Sequence, residues 1–141
     1  MGDLTNNFSR SEFACSCGEC KQVAVDYELL TVIQDAVDDA SEDLGYPVSC
    51  KITSGNRCKE SNIKALMQYS NKTREEAEKS GSMHLFSMAA DIKLFNKNTG
   101  EQIPAEAVSD YFEDRYPDKY GIGRYHNRTH IDTRPNKARW G

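Results

Sequence analysis

The sequence predicts an α+β fold, an antiparallel sheet flanked by helices, built as a single domain over residues 1–141. Three observations carry that expectation. One long segment has apolar residues spaced by threes and fours, two others alternate apolar and polar residues, and a further pair of strand-like segments surrounds a short loop near the end. A length of 141 residues suits one compact core.

The elements follow in order. Ser9-Arg10-Ser11-Glu12 reads as a capping box opening a short helical turn, anchored by Phe8 and Phe13. From Asp26 to Leu44, the apolar positions Leu30, Ile33, Val37, Ala40 and Leu44 make one helical face. Asp35, Asp38, Asp39, Glu42 and Asp43 fill the solvated side, and Gly45 and Pro47 end the helix. Val48 to Ser54 reads as a strand with Val48, Cys50 and Ile52 on one face. Ser61 to Tyr69 is a helix with Ile63, Leu66 and Met67 inward, and Thr73-Arg74-Glu75-Glu76 is a second capping box. Ala89 to Phe95 alternates Ala90, Ile92 and Leu94 against Asp91 and Lys93. Pro104 opens a helix to about Tyr116, with Val108, Tyr111 and Phe112 as its apolar side. Gly121 to Tyr125 and Thr129 to Thr133 are the closing strands.

Composition narrows the function. Hydrophobic residues make up 38% and charged residues 28%, with a net charge of -4, so the overall charge offers nothing to nucleic acid. No apolar run is long enough to span a bilayer, so no membrane insertion is expected. Met1 to Asn7 lacks the basic start and apolar stretch of a signal peptide, so export by a leader of its own is not expected. Five cysteines stand at Cys15, Cys17, Cys20, Cys50 and Cys58; disulfides, free thiols and a second zinc site all stay open for them.

His84, Asp91 and His130 are the candidate metal ligands. Two imidazoles and a carboxylate supply three protein ligands for tetrahedral zinc, with the fourth position left for water, the pattern of a catalytic site. Alternation along a strand places His130 and Asp132 on the same face, with Ile131 turned to the core. A carboxylate near the metal could serve as the proton acceptor, which makes Asp132 a candidate base. Its alternative role is to bond a metal ligand or an arginine.

These residues also carry a resemblance. Ser82-Met83-His84, Ala89-Ala90-Asp91 with the aspartate seven residues after the histidine, and the late His130-Ile131-Asp132 resemble the zinc D-Ala-D-Ala carboxypeptidases and L-alanyl-D-glutamate endopeptidases of peptidoglycan. Phe8-Ser9-Arg10-Ser11-Glu12-Phe13, Thr53-Ser54-Gly55-Asn56-Arg57-Cys58, Gly121-Ile122-Gly123-Arg124-Tyr125 and Ala138-Arg139-Trp140 are similar to segments of that family's small single-domain branch, in the same order. The resemblance covers nearly the whole chain. It implies the hedgehog/D-Ala-D-Ala peptidase-like fold, zinc at His84, Asp91 and His130, and a peptidoglycan peptide as substrate.

It further implies that Arg57 lies near the pocket as a catalytic or substrate-binding guanidinium. Ser82 is expected to touch substrate or orient its loop, with a turn hydroxyl as the alternative, and Arg134 is expected to touch substrate or to form a salt bridge. Many members have an acid three residues before the last zinc histidine; here that position is Asn127, which leaves Asp132 as the expected base and His126 as the other candidate. Ser87 stands where the family usually has glycine, and residues 68–81 are expected at the pocket entrance. The family's short members imply a monomeric phage or prophage endolysin, held in the host cytoplasm until lysis and then acting on the cell wall. A non-catalytic zinc module of the same fold, a virion or interaction protein, is the alternative. Whether the enzyme is a carboxypeptidase or an endopeptidase stays open at this point.

Overall fold

The structure, a computed structural model, describes residues 4–5, 7–15, 26–56, 59–69, 71–78, 83–86 and 88–141. Four helices, α1 (Tyr27–Leu44), α2 (Lys59–Tyr69), α3 (Arg74–Glu78) and α4 (Ala105–Arg115), accompany five strands: β1 (Val48–Ser54), β2 (Ala89–Asn96), β3 (Gly121–Arg124), β4 (Thr129–Asp132) and β5 (Ala138–Trp140). Short 3₁₀ turns at Arg10–Phe13 and Met83–Phe86 complete the described elements.

The strands form one sheet in the order β1-β2-β4-β3-β5. Its first three pairings are antiparallel, as the alternating segments predict. The fourth is not: β5, which the sequence reading leaves without an element, pairs in parallel with β3 through Gly121↔Ala138 and Gly123↔Trp140. Three residues with no alternating apolar signal are too few to be read as a strand. Arg139 holds β5 in place by donating to the carbonyls of Tyr116 at 2.8 Å and Tyr120 at 2.6 Å, and by pairing with Glu113.

The sheet has two unlike faces. Ala90, Ile92, Leu94, Ile122 and Ile131 join Leu29, Ile33, Val37, Val108, Phe112, Phe8 and Phe13 in one buried cluster. Burying side chains of this size stabilises the fold by about 1.5–3 kcal/mol each. Strand alternation sends Asp91, His130 and Asp132 to the opposite face.

Local signals explain most boundaries. Asp26 caps α1 by accepting from the Leu29 amide at 3.1 Å, and Gly45 ends the helix in the left-handed conformation at φ 74°. Both halves of the Thr73–Glu76 capping box form, at 3.2 and 3.1 Å, and the Ser9 amide donates to Glu12 at 2.6 Å. Two predicted core positions lie outside: Leu44 is 46% and Met67 43% exposed. Both sit near the ends of their helices, and the buried stripe of α1 runs instead through Leu29, Leu30, Val32, Ile33, Ala36 and Val37.

Candidate metal centre

His84, Asp91 and His130 meet on the polar face of the sheet. Asp91 on β2 lies directly across from His130 on β4, so the sheet register alone brings carboxylate and imidazole together. His84 arrives from the Met83–Phe86 turn that precedes β2. All three are buried, and one ligand atom from each lies within 4.8 Å of the others.

The orientation of both rings is fixed from outside the cluster. His84 Nδ1 is 2.6 Å from the carbonyl of Gly55, which makes Nδ1 the protonated nitrogen and turns the Nε2 lone pair toward Asp91, 3.6 Å away. His130 Nε2 is 2.7 Å from Asp132 Oδ2, which leaves Nδ1 facing Asp91 Oδ1 at 3.0 Å. Ligand atoms about 2.1 Å from a tetrahedral zinc stand roughly 3.4 Å apart. The separations of 3.0 and 3.6 Å therefore bracket the spacing zinc requires, and the donor set fits the ion.

Charge follows the geometry. Burial alone would raise the Asp91 pKa, but hydrogen bonds and charge from His130 and His84 hold the carboxyl well below its usual range. Burial lowers the His130 pKa, yet the bonds to Asp132 and Asp91 outweigh it and raise it overall. Asp132 is fully buried; its bonds to His130 and Arg134 overcome desolvation and keep it ionised.

Asp132 shares the His130 face, as alternation predicts, but both of its oxygens are engaged. Arg134 grips it through Nε to Oδ1 and Nη2 to Oδ2, each at 2.7 Å, and the Arg134 amide adds a third bond at 3.2 Å. Asp132 thus accepts from His130 and Arg134 at once. Arg134 forms a salt bridge with Asp132. His126 is exposed on the β3–β4 turn and lines an open cavity with Glu106, Ser109 and Arg124. Ser109 bonds Thr129, which points away from the histidine face. Asn127 is exposed on the same turn. Arg57, Ser82, Ser87, Cys17, Cys20 and Cys58 lie outside the described residues, as does part of the 68–81 stretch. Cys15 is buried, and burial, with Glu12 nearby, pushes the half-buried Cys50 thiol up.

The Gly121–Tyr125 and Ala138–Trp140 segments carry the resemblance, but their contacts with the site are not foreseen from sequence. Gly121 lies across from Asp132, and Gly123 across from His130. A Cβ on Gly121 would run into the Asp132 carboxylate, and one on Gly123 into the Trp140 indole. The two glycines are slots that let those side chains lie flat across β3. Trp140 packs 4.8 Å from His130, centroid to centroid, and its Nε1 donates to Tyr125 Oη at 3.1 Å. The available signal was Arg128-x-His130-x-Asp132-x-Arg134, one charged face at strand spacing, opposite Gly121-x-Gly123.

A family model described as Peptidase M15 matches residues 6–132. No curated protein matches the chain. Among solved structures, one that is similar is a mutant of the vancomycin resistance D,D-pentapeptidase VanY from a VanB-type resistance cassette, in complex with Zn(II). It is 19% identical with a TM-score of 0.39, over 64% of this chain and 55% of that one. The chain thus spans about half the length of the solved structure it matches.

Proposed function

The chain belongs to the peptidase M15 family, and from that membership we propose that it is a zinc-dependent peptidase hydrolysing amide bonds in peptidoglycan stem peptides. The observation that carries the reading is the convergence of His84 Nε2, Asp91 Oδ1 and His130 Nδ1, each imidazole fixed through its other nitrogen. Zinc held by these three would supply a Lewis acid that activates water and polarises the scissile carbonyl.

The chain's own residues have distinct parts in this reading. Gly55 and Asp132 set the tautomers of the two histidines. Arg134 keeps Asp132 charged and in place. Arg57 and Ser82 are assigned to substrate on the resemblance alone. Asp132 is assigned to positioning His130, since its oxygens already accept bonds from His130 and Arg134. A lytic role, as a phage or prophage endolysin held in the host cytoplasm until lysis, is the outermost layer of the proposal. Lysis of host cells only when a membrane-permeabilising protein is co-expressed would support it.

Asn127 favours a second reading. With an amide in place of an acid and Asp132 engaged, a zinc-binding module without peptidase activity also fits. The test is mass spectrometry of fragments released from purified walls of several peptide chemotypes, with and without a chelator. Chelator-sensitive release of stem peptides supports the enzyme. Zinc-loaded protein that releases nothing from any chemotype supports the binding module.

A further inference from the structure

Among the described residues, one cation beside the site has a guanidinium that makes no hydrogen bond. Four described arginines lie on β3, β4, β5 or the segments between them, and three of those are committed. Arg124 donates to Asp110 at 2.8 Å, Arg134 forks onto Asp132, and Arg139 pairs with Glu113. Arg128 makes no hydrogen bond through its guanidinium among the described residues. It faces Asp91 as an ion pair, Nε to Oδ2 at 4.0 Å, a separation beyond hydrogen-bond reach.

The guanidinium is nevertheless held. Its Cζ lies 4.2 Å from the centroid of the Tyr125 ring, a stacked cation–π contact. Tyr125 is in turn bonded by Trp140, and Trp140 packs on His130. Asp91, Arg128, Tyr125, Trp140 and His130 thus form a closed ring of contacts along one side of the metal centre. Arg128 shares the face of His130 and Asp132 by strand alternation, and its side chain is 37% exposed. Tyr125 and Trp140 are 39% and 36% exposed, so this wall faces solvent.

We propose that Arg128, stacked on Tyr125 beside Asp91, is a specificity residue that binds a carboxylate of the peptide substrate. The proposal rests on the peptidase reading of the same site. A planar guanidinium with open donors takes a carboxylate through two parallel bonds, which a lysine does not reproduce. Its closeness to Asp91 sets that carboxylate within a residue or two of the bond presented to the metal. A stem peptide offers two such groups, its C-terminal carboxylate and the free carboxylate of its glutamyl residue.

The test compares zinc-loaded native protein with Arg128→Ala and Arg128→Lys on three peptides: unmodified, C-terminally amidated, and amidated at the glutamyl carboxylate. Zinc content is measured alongside. Arg128→Ala is expected to raise KM for the unmodified peptide roughly 10- to 100-fold, with kcat and zinc content little changed. Arg128→Lys recovers only part of the loss. One of the two amidations is expected to raise KM for native protein by a similar factor and to cost Arg128→Ala nothing further, which identifies the carboxylate bound. An unchanged KM in Arg128→Ala, or a penalty that persists in full against both amidated peptides, overturns the proposal. If native protein cleaves none of the peptides, the peptidase reading fails, and calorimetric binding of the same peptides decides the subsite. A preference for the unmodified peptide that disappears in Arg128→Ala supports it; no preference overturns it.

Discussion

Asp132 Oδ2 stands 2.7 Å from His130 Nε2, and that contact fixes which nitrogen of the histidine faces the metal centre. With Nε2 committed to the carboxylate, Nδ1 is the nitrogen left for a ligand bond. The residue expected from sequence to move a proton is thereby tied to the orientation of a metal ligand.

Asp132→Asn separates the two roles. If Asp132 orients His130, the variant is expected to bind zinc about 10- to 100-fold more weakly. At saturating zinc it should retain most of its activity per bound ion. Competition with a chromophoric chelator, followed by cleavage assays at full occupancy, reads both quantities. Full zinc affinity with activity lost would restore Asp132 as the base.

The pKa shifts give the metal-free protein a defined pH profile. His130 titrates higher in the fold than in the unfolded chain, so its stabilisation is complete below about 6.5 and is lost as pH rises through the folded value. Asp91 and Asp132 titrate lower, so theirs is complete above about 3.9 and is lost as pH falls through the folded values. The melting temperature of chelator-treated protein should therefore peak between about pH 4 and 6.5. Zinc must displace any proton on His130, so its affinity should fall as pH is lowered and the melting peak of the loaded protein should move upward. A metal-free protein most stable well above pH 7 would contradict this assignment.

Gly121→Ala is expected to destabilise the fold by about 1–3 kcal/mol, because the added methyl enters the space of the buried Asp132 carboxylate, which Arg134 and His130 hold from two sides. Gly123→Ala should cost less, since Trp140 is partly exposed on the last strand and can turn outward. A shift in tryptophan fluorescence is expected only for the second variant, Trp140 being the single tryptophan. Chemical denaturation with fluorescence detection checks both.

Asp26 links the end of β4 to α1 by accepting from the Leu29 amide and from Thr133 Oγ1, the latter at 3.0 Å. Asp26→Ala removes the helix cap and should lower stability by about 0.5–2 kcal/mol. Thr133→Val, which leaves the cap intact, should cost less. Equal losses would place the stabilisation in the Thr133 contact instead.

Much of this arrangement was legible because it depends on short-range periodicity. The three-and-four spacing from Leu30 to Val37 marks α1, and alternation at Ala90, Ile92 and Leu94 marks β2 and puts Asp91 on the other face. The same alternation pairs His130 with Asp132. What was not legible depends on contacts between distant segments. Whether Asp132 is open or engaged depends on Arg134 folding back onto it. The role of Gly121 and Gly123 appears only when β3 is registered against β4. β5 has no pattern of its own and exists because Arg139 ties it to the end of α4.

The central claim is that His84, Asp91 and His130 hold one catalytic zinc. The most direct test titrates zinc into metal-free protein while stem-peptide cleavage is followed. Activity is expected to rise linearly and break at about one equivalent, with no rise over the same range for His84→Ala. Cleavage that persists without zinc, or that is unchanged in His84→Ala, would contradict the account.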